Sequence, residues 1–357
     1  MKPRTQTVIG FVAFAAFVVV VAVLPSFIGD FKAREWSDVG IYLTALLGLN
    51  ILTGYTGQIS LGHGAFMAIG GYTTAILMAG NESLGGPVEG GMKDVWTIPI
   101  AGLVAGLVGL AFGLPALRLS GLYLALATFA IAVAMPSTAK RFAEWTGGGT
   151  GIQLFGTPEL TGSISNVHVL GRTLTPNDWI YYLAWSIALV SFAVAWLILR
   201  GRTGRAFRAV RDSEIAAVSS GVSLARYKTL AFGISAAYAG VAGSLLVISR
   251  AFINPDSFPV ALSIFLLVGI VIGGLGGLSG LVFGAIFVAY VPLWAQGQDL
   301  GSLLPDRIVE ETQKPGGPSI VYGVVLILLM FVLPSGVGGL FRRAGQLLSR
   351  RRYSPPK

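Results

Sequence analysis

The sequence predicts an all-α polytopic membrane protein with about ten transmembrane or re-entrant helices. Hydrophobic residues form 54% of the 357-residue chain, charged residues form only 11%, and the mean hydropathy is +0.75. A soluble domain carries about 25% charged residues, so too little charge is present to cover a soluble protein of this size. Several apolar runs also reach the ~20 residues that a helix needs to cross the hydrocarbon core.

Ten apolar runs along the chain are the candidate crossings. The first follows the basic start Met1–Arg4 without a convincing cleavage site, so we expect an uncleaved first span. The second and the eighth are short enough to be broken or re-entrant elements. In chain order, the runs cover 8–28, 39–54, 59–79, 97–117, 120–138, 179–199, 229–249, 260–275, 277–295 and 318–334.

The distribution of charge predicts the orientation. If the N-terminus is cytoplasmic, most of the 25 lysines and arginines lie inside, whereas only Asp212 and Glu214 among the 16 acidic residues do. The positive-inside rule favours this arrangement, which places both termini in the cytoplasm. The predicted organisation is a transmembrane domain over 1–340, with an exterior loop at 139–178 and a cytoplasmic loop at 200–228. A basic cytoplasmic tail follows at 341–357.

The composition excludes several classes of function. The net charge of +9 does not indicate a nucleic-acid partner, because the basic residues adjoin apolar runs, where membrane orientation explains them. The absence of cysteine excludes disulfides and thiolate metal sites, and His63 has no nearby carboxylate with which to bind a metal. The motifs H-E-x-x-H, G-x-S-x-G and G-x-x-x-x-G-K-[ST] are absent, so we expect neither an enzyme nor a chain that hydrolyses ATP itself.

Regularly spaced glycines predict close helix packing. Small residues repeated every four or seven positions form a smooth stripe on a helix, and another backbone can approach along it. The first stripe is Gly57, Gly64 and Gly71. A second consists of Gly102, Gly106, Gly109 and Gly113, and a third of Gly276, Gly280 and Gly284.

Three polar residues interrupt the apolar sequence at the second and third runs. Asn50, Gln58 and His63 need hydrogen-bond partners in a low-dielectric setting, so they should face the bundle interior or a wet cavity. Hydrogen bonding between helices is one interpretation. The other makes these residues candidates for lining a solute path.

The cytoplasmic loop predicts two short helices. Arg205, Arg208 and Arg211 are three residues apart and fall along one side of the first helix. Asp212 or Ser213 can cap a second helix, which starts at Glu214 and ends at Gly221. This second helix has a small side, with Ala216 and Ala217, that could sit in a groove of a partner protein while the arginines hold it there by charge. The alternative is an ordinary basic loop lying against anionic lipid.

Charged residues are absent from the middle of the predicted spans. Carriers coupled to protons or sodium commonly use intramembrane carboxylates, so this absence counts against ion-coupled transport. It indicates instead that another polypeptide supplies any driving energy.

Four segments, in this order, resemble the permease subunit of branched-chain amino acid ABC importers. They read "GYTGQISLGHGAFMAIGGYTTA", "TGGGTGI", "GRAFRAVRDSEIAAVSSGVSLARYKTLAFGISAAYAGVAGSLL" and "GIVIGGLGGLSGLVFGAI". The similarity extends from about 39 to 334. It implies a homologous second permease subunit, two cytoplasmic ATPase subunits that bind ATP and magnesium, an external solute-binding protein and a bacterial inner membrane. No cofactor is expected on this chain.

The resemblance also implies a role for the 200–228 loop, which matches the segment that couples such permeases to their ATPase. Ala216, Ala217 and Gly221 take positions two, three and seven of the E-A-A-x-x-x-G pattern. Ile215 stands where that pattern has glutamate, and Glu214 lies one position earlier. A leucine at position 221 is expected to abolish ATP-driven uptake by preventing close docking.

The resemblance therefore implies a permease that moves leucine, isoleucine and valine into the cell with energy from a separate ATPase. An ABC permease for urea or short amides is an alternative substrate class. A passive channel or a secondary carrier is an alternative of a different kind, and would work without a soluble ATPase.

Overall fold

The computed structural model describes residues 17–79, 94–119, 121–154, 168–169, 172–173, 175–295, 323–324, 327–328, 331 and 336–339. The predicted tail at 341–357, most of the span at 318–334 and part of the first span lie outside these residues. The described helices are Phe17–Ser26 (α1), Asp30–Leu49 (α2), His63–Ala79 (α3), Asp94–Ala116 (α4), Leu122–Arg141 (α5), Ala143–Thr146 (α6), Pro176–Arg200 (α7), Arg202–Asp212 (α8), Glu214–Ser219 (α9), Leu224–Arg250 (α10), Val260–Gly273 (α11) and Leu281–Ala295 (α12). Short strands lie at Ile152–Gln153 (β1), His168–Val169 (β2), Arg172–Thr173 (β3) and Phe252–Ile253 (β4).

The predicted class, an all-α polytopic membrane protein, is confirmed. Six helices in the described part of the chain are long and apolar enough to cross a membrane, and each contains or overlaps one of the predicted spans. They are Lys32–Tyr55, Asp94–Ala116, Leu122–Arg141, Pro176–Arg200, Leu224–Arg250 and Pro255–Gly273.

The second span is longer than predicted. Helix α2 begins at Asp30 and continues as a π-helix over Asn50–Tyr55, so the span at 39–54 is one full crossing. The prediction of a short element was wrong because it treated the charged residues before 39 as the end of the span. Two of those residues have partners on α10: Arg250 binds Asp38 at 2.7 Å, and Arg34 donates to the carbonyl of Ser249 at 2.9 Å.

Helix α10 is the centre of the bundle, and α2, α3 and α4 pack around it. All four glycines of the second stripe lie against α10. Cβ atoms added to Gly102, Gly106, Gly109 and Gly113 would meet Val241, Ala237, Ala236 and Thr229. On α3, a Cβ at Gly70 would overlap the backbone of Gly240, and one at Gly243 of α10 would overlap the carbonyl of Met67. The small residues let these backbones approach to van der Waals contact.

The first predicted stripe does not lie on one helix. Gly57 has a φ of 74° and belongs to the connection between the π-helix and α3. Gly64 and Gly71 are on α3, where added Cβ atoms would meet Ser263 and Val247. The seven-residue spacing suggested one face because it cannot reveal where a helix is interrupted.

The third stripe is interrupted in the same way. Gly276, with a φ of 74°, and Gly280 lie in the non-helical segment 274–280, which joins α11 to α12. Only Gly284 is in a helix, and a Cβ there would overlap the carbonyl of Gly269. The 274–280 segment therefore breaks what the sequence suggested was a continuous glycine face.

The predicted loop at 139–178 contains ordered structure. Helix α5 extends through Arg141, and α6 follows. Strand β1 pairs antiparallel with β4, with Ile152 opposite Ile253, and β2 pairs antiparallel with β3. Lys140 also binds Asp256 across 3.3 Å. The segment is thus joined to the connection between α10 and α11, at the end of the bundle opposite α8 and α9.

Candidate functional site

Asn50 joins the end of α2 to the 274–280 segment. It is fully buried at the start of the π-helix. Its Nδ2 donates to the carbonyl of Gly277 at 3.0 Å, and its Oδ1 accepts from the amide of Gly276 at 3.0 Å. The side chain therefore satisfies two backbone groups of a non-helical segment that would otherwise lack partners.

His63 belongs to a buried hydrogen-bond chain between three elements. The Ser235 hydroxyl donates to the carbonyl of Gly48 at 2.7 Å, so its oxygen accepts from Nε2 of His63 at 2.6 Å. With its proton on Nε2, His63 can accept from Ser60 through Nδ1 at 3.3 Å. The imidazole is neutral in this arrangement and joins α3 to α2 and α10.

Gln58 is also satisfied locally. Its side-chain Nε2 donates to the hydroxyl of Thr56 at 2.8 Å, and its backbone carbonyl accepts from the hydroxyl of Thr53 at 3.0 Å. Asn50, Gln58 and His63 are all buried. The prediction that they line a solute path does not fit this conformation, because all three side chains are engaged in buried hydrogen bonds, those of Asn50 and His63 between distant elements and that of Gln58 within its own connection.

The segment from Arg202 to Lys228 forms the predicted pair of short helices. Helix α8 buries Phe207, whose ring packs edge-on against Tyr227 of α10. Arg205 is exposed on the opposite side. Arg208 turns back and donates to the carbonyl of Leu199 at 3.3 Å, at the bend between α7 and α8. Helix α8 is thus held by its apolar face, and Arg205 points away from that face.

Arg211 makes a contact that its position in the sequence does not suggest. Its Nη1 hydrogen-bonds the carbonyl of Gly54, in the π-helix that ends α2. The sequence grouped Arg205, Arg208 and Arg211 as one charged side facing a partner. In the structure Arg211 instead contacts the bundle, so only Arg205 of the three is exposed without a contact to the bundle.

Helix α9 is the second predicted helix, and it is capped as expected. The Ser213 hydroxyl accepts from the amide of Ala216 at 3.3 Å. Glu214, whose contact the sequence left open, binds Lys228 at 2.7 Å. Ala217 is buried within the chain, at 2% exposure. Its small side chain therefore serves the packing of α9 on its own bundle, and not a groove on a partner as predicted.

Two large apolar residues lie on the exposed side of α9. Ile215 is 82% exposed and Val218 is 53% exposed, and we call these two residues the α9 edge. In the sequence, Ile215 stood out only as a departure from the E-A-A-x-x-x-G pattern, and exposure of Val218 was not predicted. Their three-residue spacing was a usable signal, because it places them on one face of a helix whose other face carries Ala217.

Gly221 ends α9 in the left-handed region, with a φ of 81°. Its amide donates to the carbonyl of Val218, and the amide of Val222 donates to that of Ala217, both at 2.9 Å. No heavy atom lies within 4 Å of the position that a Cβ would occupy. The requirement for glycine therefore comes from the backbone conformation that closes the helix, and not from a crowded environment within the chain.

We expect Gly221→Asn to keep most of the activity of the chain and Gly221→Val to lose most of it. Asparagine tolerates the left-handed conformation, whereas a β-branched residue is strained there by roughly 1–2 kcal/mol. Uptake by the two variants, compared at equal membrane expression, checks this. If both variants lost uptake equally, the volume of the side chain at 221 would be the requirement, and the left-handed backbone conformation would not.

Comparison with known proteins gives a consistent result. A family model described as branched-chain amino acid transport system / permease component matches residues 36–333. The permease protein LivM of Escherichia coli K12, named as part of a high-affinity branched-chain amino acid transport system, is 37% identical over 265 residues, which is 70% of this chain and 60% of LivM. This chain thus spans less than two thirds of that relative.

More distant relatives align over most of their length. LivH of Salmonella typhimurium, named as a permease of the same kind of system, is 25% identical over 84% of this chain and 91% of its own. A probable LivM of Methanocaldococcus jannaschii is 26% identical over 84% and 90%. No solved structure matches the chain significantly. Because the family model covers most of the sequence, the chain belongs to the branched-chain amino acid transport permease family.

Proposed function

We propose that this chain is the transmembrane permease subunit of an ATP-driven importer for leucine, isoleucine and valine in a bacterial inner membrane. A separate ATPase supplies the energy. The observation that carries the proposal is the α9 edge, an exposed apolar pair on a helix that is fixed to the bundle. Exposed apolar surface of this kind is typical of a protein contact.

Four contacts make α9 and α8 suitable for transmitting force. Ala217 is buried beneath α9, Glu214 binds Lys228 of α10, Phe207 packs on Tyr227, and Arg211 reaches the end of α2. A partner that binds the α9 edge would therefore displace α10 and α2 together with α9, because these contacts attach α8 and α9 to both helices. This arrangement favours a permease driven by another protein over a passive channel, which needs no such attachment.

The proposal includes an assembly and an orientation. LivM and LivH are two different permease proteins of one named transport system, which supports a homologous second permease subunit beside this chain. Two ATPase subunits would dock on the cytoplasmic face, one of them against α9, and a solute-binding protein would deliver the amino acid from outside. Ten crossings with both termini cytoplasmic place α8 and α9 inside, together with the arginines of 200–228.

The test is uptake of radiolabelled leucine by proteoliposomes that contain the chain and its partners. We expect accumulation only when ATP is enclosed on the side of the ATPase subunits, and competition by isoleucine and valine. Uptake inhibited by urea and not by isoleucine would indicate the other substrate class. Leucine flux through the chain alone, without ATP, would identify a channel or a secondary carrier and contradict the proposal.

A further inference from the structure

Arg211 lies in a junction between three parts of the chain that are far apart in sequence. Its guanidinium hydrogen-bonds the carbonyl of Gly54. A Cβ added to Gly57 would lie 3.6 Å from its Cγ, and one added to Gly276 would lie 2.7 Å from its Nη1. The side chain therefore passes between two stretches of backbone that carry no side chain at the point of contact. We call Arg211, Gly54, Gly57, Asn50 and Gly276 the Arg211 junction.

The Gly54 carbonyl is a favourable acceptor for a positively charged donor. It is among the last carbonyls of a helix that starts at Asp30, and carbonyls in that position lack partners within their own helix. They also form the negative end of the helix dipole, where a positive charge is favourable. Arg211 thus caps α2 from a different helix, 157 residues away in sequence.

Asn50 extends the junction to the 274–280 segment. It lies one turn before Gly54 and holds Gly276 and Gly277 through two hydrogen bonds of 3.0 Å. A Cβ on Gly54 would overlap the Asn50 side chain and lie 2.7 Å from the amide of Gly276. A displacement of Gly54 is therefore passed directly to Asn50 and to the segment that joins α11 to α12.

The end of α2 is also the part of that helix most able to change its conformation. Residues Asn50–Tyr55 form a π-helix, a rare conformation that occurs mostly at functional positions. The amide of Gln58 reaches the carbonyl of Leu52 at 3.2 Å, and the Thr56 hydroxyl reaches the same carbonyl at 2.6 Å. One backbone bond of irregular spacing and one side-chain bond thus share the Leu52 carbonyl, so the geometry of this end departs from that of a regular α-helix.

We propose that Arg211 is the positioning residue through which movement of α8 and α9 reaches the interior of the bundle, by holding the end of α2 and, through Asn50, the 274–280 segment. This rests on the proposed function, since it describes how force applied at the α9 edge enters the bundle. When α8 moves, Arg211 carries Gly54 with it, and the π-helix and the 274–280 segment move as a unit. Without Arg211, α8 moves and these two segments do not follow.

The first experiment needs no partner protein. Amide hydrogen exchange is followed by mass spectrometry in the isolated chain for Arg211→Gln and for Arg202→Gln, which removes an exposed arginine from the first turn of the same helix. We expect faster exchange in peptides covering 50–58 and 274–280 for Arg211→Gln only. Exchange unchanged from the native chain in both segments would overturn the inference, whatever the chain transports.

The second experiment uses the assembled transporter and compares leucine taken up with ATP hydrolysed. For Arg211→Gln we expect the ratio to fall about tenfold while hydrolysis continues, within the range typical of coupling between two sites. Arg211→Lys, which keeps the charge, should recover part of the ratio, and Arg202→Gln should retain it. A native ratio in Arg211→Gln contradicts the inference alone, whereas a native complex that shows no ATP-driven uptake contradicts the proposed function.

A second substitution tests the inference if Arg211→Gln fails to assemble with its partners. Asn50→Ala leaves Arg211 in place but removes both bonds to the 274–280 segment. We expect it to speed exchange at 274–280 and to lower the uptake ratio without slowing hydrolysis. Normal exchange at 274–280 in Asn50→Ala would show that the junction does not extend beyond α2 and would overturn the inference as stated.

Discussion

Replacing Ile215 by aspartate should abolish ATP-driven uptake while the chain stays folded and inserted. The side chain is 82% exposed, so the substitution removes almost no contact from the bundle. If the α9 edge contacts the ATPase as proposed, the new carboxylate would be buried in that contact. An unpaired charge in such a place costs at least a few kcal/mol, and each 1.4 kcal/mol lowers the affinity about tenfold.

Two measurements check this result. The ATPase subunit should no longer co-purify with Ile215→Asp, and uptake should fall to the level seen without ATP. Ile215→Leu is the matched control, since it keeps the apolar volume and should retain both properties. Native uptake by Ile215→Asp would show that the α9 edge is not the site of contact, and an unfolded variant would be revealed by loss of the monodisperse peak in gel filtration.

A single methyl group at Gly243 should destabilise the bundle strongly. The Cβ of Gly243→Ala would overlap the carbonyl of Met67 on α3. Both groups in this contact belong to helix backbones, so no flexible side chain can move aside. Overpacking a core typically costs about 1–3 kcal/mol, and we expect the upper end because α10 contacts α2, α3 and α4 together.

The check is the unfolding temperature in detergent, which should fall clearly for Gly243→Ala. Gly149→Ala is the control, because a Cβ there meets no heavy atom within 4 Å and the backbone is not in the left-handed region. It should leave the unfolding temperature unchanged. If both variants were equally stable, the close approach of α3 and α10 would not contribute to stability as described.

Much of the architecture could be read from local properties of the sequence. Length and hydropathy identified the apolar helices, because a crossing needs an uninterrupted apolar run. The capped helix α9 was predicted from Ser213 and Gly221, since an N-cap side chain and a left-handed C-terminal residue are local requirements. Both positions are used as predicted.

The roles of individual polar residues could not be predicted from local properties of the sequence. For Asn50 the sequence left open a solute path or hydrogen bonding between helices, and the side chain binds Gly276 and Gly277. Arg211 was placed on a docking face, but it caps α2 through Gly54. Both side chains find their partners more than 150 residues away, and residue type and local spacing carry no information about which distant backbone group will be adjacent.

The amino-acid sequence alone was enough to establish the membrane class, the family resemblance and the short capped helix, because these depend on composition, run length and local backbone requirements. Only the folded bundle decided that Gly57 and Gly276 lie outside helices, that Ala217 faces inward while Ile215 faces outward, and that Arg211 reaches α2. The physical reason is that helical periodicity predicts which residues share a face of a helix. Whether that face points into the bundle or away from it is decided by the helices packed against it.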